Sequence, residues 1–153
     1  MYNFRGDKIL NKYETGQYGA KIAKLEFERY GFRVCTSKLN DKGLGFRVKK
    51  NGIEYEIKVS TRNNLEYVFF QKEKMPLRDN IFVMLVLLNE EGRKSNLYLI
   101  PSTVWRNPNG VFKNANYDER GLQTKPEWGI NISEKNLSEI EQYRFNKIIL
   151  TML

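Results

Sequence analysis

The chain has 153 residues, enough for one domain with a sizeable core, and it contains no histidine and a single cysteine. Histidine-based triads, His-ligated metals, cysteine-rich zinc sites and internal disulfides are thereby excluded, so any metal would be a hard cation held by oxygen. The formal net charge of +8 is concentrated: residues 21–62 carry eleven Lys and Arg against five acids, whereas the flanking segments are nearly balanced.

A basic zone of that kind meets polyanions, nucleic acid first and anionic membrane second. The plain alternative is a solvated surface that aids solubility. Lone Cys35 fits a reducing compartment. The N-terminal MYNFRGDKIL lacks the apolar core of a secretory signal, and the longest apolar run, Ile81 to Leu88, is too short to span a bilayer. A cytoplasmic protein without a membrane partner is expected.

In chain order, Thr15 is expected to cap a helix over 16–30 that Gly31 closes. Gly19, Ala20, Ala23, Phe27 and Tyr30 recur at helical spacing and define its inward face. FRVCTS follows as a first strand, with Cys35 expected to be buried. Leu44, Phe46 and Val48, then Ile53, Tyr55, Ile57 and Val59, alternate with polar residues on either side of Asn51-Gly52. That pattern predicts a tight hairpin with one buried face.

A two-residue turn at 51–52 sets the register: Lys49 faces Glu54, Arg47 faces Glu56 and Gly45 faces Lys58. Strands at 65–70, 81–88 and 97–100 complete a mixed sheet, with 81–88, apolar throughout, at its centre. Pro101 to Trp105 reads as a helical turn and 106–132 as irregular chain. Asn136 and Glu139 resemble a capping box for a last helix over 137–145. The fold class is α/β, bordering on α+β, with a central mixed sheet flanked by helices in one domain over 1–153.

The phrases TGQYGAKIAKLEFERYGFRV, LGFRVKKNGIEYEIKVST, DNIFVMLVLLNEEGRKSNLYLIPSTVW and KPEWGINISEKNLSEIEQYRF span nearly the whole chain. Together with the element order they resemble the restriction-endonuclease-like PD-(D/E)XK superfamily, in particular a group of small bacterial proteins mostly of unassigned function. The resemblance implies a divalent ion, held by an acid of the first helix, an Asp opening the hairpin and an acid or Gln on the return strand. A lysine two residues later assists the nucleophile. Carried over residue by residue, these positions fall at Ala20, Gly45, Lys58 and Ser60. All four lack the family's group, so a catalytically degenerate protein with no metal or other cofactor is expected.

The alternative is an active magnesium- or manganese-dependent endonuclease with a displaced set of Asp41, Glu56 and Lys58. In the predicted register Glu56 faces Arg47, six residues from Asp41, or about 20 Å along the strand. Phosphate contacts are expected from Lys21, Lys24, Lys38, Lys42, Arg47, Lys49, Lys50, Lys58 and Arg62, with DNA ahead of RNA. Trp128 either stacks on a base or plugs a loop onto the core. A protein-binding immunity or regulatory module is a further alternative, and a protein partner or a homodimer is left open.

Overall fold

The computed structural model describes residues 2–3, 7–8, 11–35, 45–88, 95–116 and 124–153. Two short strands, β1 (Tyr2–Asn3) and β2 (Asp7–Lys8), pair antiparallel ahead of helix α1 (Lys12–Arg29). The helix begins earlier than expected, because Asn11 and not Thr15 is its cap. Asn11 Oδ1 accepts from Glu14 N–H at 2.8 Å, and Glu14 Oε1 accepts from Asn11 N–H at 3.2 Å, which closes a capping box. Thr15 instead lies one turn in, buried on the inward face with Gly19, Ala20, Ala23 and Phe27. At the other end Gly31 N–H bonds to Glu28 O and Phe32 N–H to Phe27 O, the paired bonds of a Schellman stop.

Five strands form the main sheet in the order β3 (Arg33–Cys35), β4 (Gly45–Lys50), β5 (Ile53–Arg62), β7 (Ile81–Leu87) and β8 (Asn96–Pro101). The β5–β7 pair is parallel and the others are antiparallel. The hairpin turns at Asn51 (φ 54°) and Gly52 (φ 80°), the double positive φ that a tight turn of this twist requires. Its register is the expected one, from Lys50↔Ile53 to Gly45↔Lys58. Ile53, beside the turn, is exposed, and Cys35 on the edge strand is half-buried rather than buried.

One sheet face, carrying Phe46, Val48, Ile57, Val59, Phe82, Met84 and Leu99, packs on α1 and on the C-terminal residues Phe145, Ile149 and Met152. Phe27 meets Phe32, Phe46 and Phe145 edge-to-face at 5.2–5.8 Å, contacts worth about 0.5–1.5 kcal/mol each beyond burial. All seven residues of β7 are buried, as a central strand demands.

The other face is covered differently from the expected helix layer. Strand β6 (Tyr67–Gln71) does not join the main sheet. It pairs with β10 (Glu127–Asn131), which pairs in turn with β9 (Phe112–Ala115), in a second antiparallel sheet. The stretch 106–132 is therefore not irregular throughout. Val68, Phe112 and Ile130 of this sheet bury against Ile81, Val83, Leu85, Tyr98 and Ile100 of the first. Trp105, in a 3-10 turn after β8, locks the two together by donating its indole N–H to Gly129 O at 2.9 Å.

The last helix is also broken. Helix α2 (Leu137–Ile140) ends after one turn, and Arg144, with extended φ and ψ, separates it from α3 (Phe145–Ile148). Asn136 makes no side-chain cap to α2. Its amide donates to Asn131 O, and its own backbone N–H bonds to Ser133 Oγ.

Candidate nucleic-acid interface

Alternation along β5 turns Lys58, Ser60 and Arg62 away from the face that packs on α1, and Gly45, Arg47 and Lys49 share their side. The predicted pair Gly45–Lys58 is thus formed, with Ser60 next along the same face. Ser60 is buried and Lys58 half-buried. Ala20 is buried too, but the helix that carries it packs on the opposite face of the sheet.

The acids on this face do not gather. Glu56 lies opposite Arg47 in register, yet its ion pair is with Lys58 along the same strand, Nζ to Oε1 at 3.3 Å. Asp41, the other member of the displaced set, lies outside the described residues, as do Lys38 and Lys42. Among the described residues no three His, Cys, Asp or Glu side chains are grouped so as to hold a metal ion.

The remaining basic residues divide into two groups. Arg47, Lys49 and Lys58 share the hairpin face, interleaved with Glu54 and Glu56. Lys21 is exposed on α1, across the sheet from them. Lys24 sits 5.8 Å from the Phe46 ring centroid. Lys50 is drawn into the structure: its ammonium donates to Tyr30 O, at the C-terminus of α1, and lies 5.6 Å from the Phe32 ring. A cation there complements the helix dipole. Arg62 is held by Glu66 at 3.0 Å and by Thr61 O at 3.0 Å. Trp128 is the plug and not a free stacking face. Its indole donates to Met75 O, and Lys72 lies 4.3 Å above its ring.

An open cleft of about 460 Å³ lies where β5 and β7 end, lined by Arg62, Asn63, Leu65, Asn96, Glu141 and Arg144 among others. Its two arginines are already neutralised. Arg144 grips Glu141 with two bonds (2.7 and 3.0 Å), donates to Asn96 Oδ1 at 2.9 Å, and rests 5.0 Å from the Tyr98 ring. Tyr98 donates to the same carboxylate at 3.2 Å. These bonds from Arg144 hold Glu141 below the usual carboxylate range, and burial pushes the Tyr98 hydroxyl up. The network fastens the C-terminal segment to β8, and sequence reasoning missed it. Asn96, Tyr98, Glu141 and Arg144 carry no shared spacing.

No helix among the described residues is long and apolar enough to cross a membrane. No protein-family model matches the chain, and no curated protein matches its sequence.

Proposed function

We propose that this chain is a PD-(D/E)XK-type nuclease fold whose cutting centre has degenerated and whose hairpin face binds nucleic acid, duplex DNA above all. In support, the helix precedes a three-stranded antiparallel run, β3-β4-β5, after which the chain crosses over to β7, parallel to β5. The observation that carries the reading is the cross-strand pair Gly45–Lys58. At the spot where the resemblance requires two oxygen ligands, one strand offers hydrogen and the other an ammonium. Lys58 already holds Glu56 there at 3.3 Å, so a divalent cation finds no pair of oxygen ligands, and a phosphate competes with one carboxylate for the ammonium.

The interface has a definite electrostatic size. Among the described residues, Arg47, Lys49 and Lys58 are the cations of the hairpin face besides Arg62, which Glu66 holds, so these three neutralise at most about three phosphates. The part of the slope of log K against log salt that these three supply is then no steeper than roughly −3. Filter binding of duplex DNA across a salt series checks this. Replacing Arg47 or Lys58 with alanine is expected to flatten the slope by about 1 each. Affinity indifferent to salt, or unchanged by both substitutions, contradicts the proposal.

A further inference from the structure

The second sheet turns one face toward the core and the other outward, and the outward face is unusual. Alternation puts Val68 and Phe70 inside and leaves Tyr67 (39% exposed) and Phe69 (49% exposed) outside. Their rings are stacked, with centroids 6.3 Å apart and planes 20° from parallel. Across the sheet, Phe69 pairs with Gly129 and Gly129 with Lys113, so phenyl ring, bare backbone and ammonium share one row. A Cβ on Gly129 would overlap the Tyr67 ring, which therefore lies down over the glycine. Exposed Asn131, opposite Tyr67, lies on the same side, as do Gln71 and the buried Glu127 opposite it.

We propose that this face is a stacking platform for the unpaired bases of a single-stranded nucleic acid, with Tyr67 and Phe69 taking the bases and Lys113 a phosphate. Every base has a π-face, and flat aromatic rings on an antiparallel sheet with a cation alongside are what unpaired bases recognise. Lys113 stands two strand spacings from Phe69, about 10 Å, a gap that its stem and a sugar-phosphate unit bridge. Lys113, exposed beside the rings, favours an anionic occupant over an apolar one.

A second copy of the chain is the rival occupant, because among the described residues β6 is an edge strand paired with β10 alone. Size argues against it. Two half-exposed aromatic rings offer roughly 200 Å², whereas each side of a stable interface buries about 800 Å². The platform is independent of the hairpin proposal: it lies on the other sheet and takes single strands, where the hairpin face takes duplex.

The test uses the full chain with a labelled oligothymidylate and, separately, a duplex of equal length. Replacing both Tyr67 and Phe69 with alanine is expected to weaken oligothymidylate binding at least tenfold, with duplex affinity and the circular dichroism spectrum unchanged. Tyr67→Phe keeps the ring and keeps the affinity, whereas Gly129→Ala lifts the ring and lowers it. Arg47→Ala with Lys58→Ala should show the reverse selectivity, so either proposal can fail without the other. Undiminished oligothymidylate binding by the folded double variant overturns the platform. So does equal loss for both ligands, or a dimer in sedimentation that the double variant abolishes.

Discussion

Thr61 and Gly19 show how closely α1 lies on the sheet. A methyl group at Gly19 would overlap the Thr61 side chain at Oγ1, Cβ and Cγ2, so no larger residue fits without displacing helix or strand. The Thr61 hydroxyl is buried in this contact and has no hydrogen-bond partner among the described residues. Gly19→Ala is therefore expected to destabilise the fold by about 1–3 kcal/mol, the usual penalty of overpacking. Combining it with Thr61→Ala should return part of that loss, because the second change removes two of the three overlapping atoms. Urea denaturation of the two single variants and the double variant measures the coupling, and strict additivity would contradict the contact. The same scale explains Lys50. Its place in the sequence suggests a phosphate contact, but the free carbonyl of Tyr30 claims its ammonium.

Among the elements, the hairpin is determined by local pattern and the C-terminal segment by distant partners. Helix α2 stops and α3 restarts because Arg144 takes up an extended backbone, pairs with Tyr98 as an isolated bridge and spends its guanidinium on Glu141 and Asn96. Glu141 supplies a pH test of this clamp. Its folded-state pKa is lowered from the ordinary 4.5, chiefly by the Arg144 hydrogen bond. The associated stability is present above the unfolded value and is lost as pH falls through the folded one. Urea midpoints of the parent and of Glu141→Gln should differ by a constant amount above about pH 4.5 and converge below it. The carboxylate is 42% exposed, so screening keeps the difference below about 1 kcal/mol.

At the scale of the whole molecule, β7 is the wall between two hydrophobic clusters. Met84 faces the α1 side and Val83 the second sheet, and both are fully buried. A strand shared in this way couples the two clusters. Met84→Ala, expected to cost about 2–5 kcal/mol, and the milder Val83→Ala should both lower the midpoint of one unfolding transition. Two separate transitions, each sensitive to one substitution, would show that the clusters melt independently. The two proposed binding faces also lie on different sheets, so duplex and single strand are not required to compete.

The amino-acid sequence by itself determined the hairpin, its register, the inward face of α1 and the buried centre at β7. In each case the information is local: a period of two or of 3.6, or a dipeptide whose φ values only a tight turn provides. The tertiary structure alone decided that residues 67–71 leave the main sheet for a second one, that 112–115 and 127–131 are its other strands, and that the last helix breaks. Strand pairing between residues some sixty apart in the chain has no local signature, and an apolar run such as YVFF fits either sheet. One trace of it was visible beforehand. In LEYVFF the aromatic residues fall on both faces of the strand, and Tyr67 and Phe69 on one of them are left partly exposed.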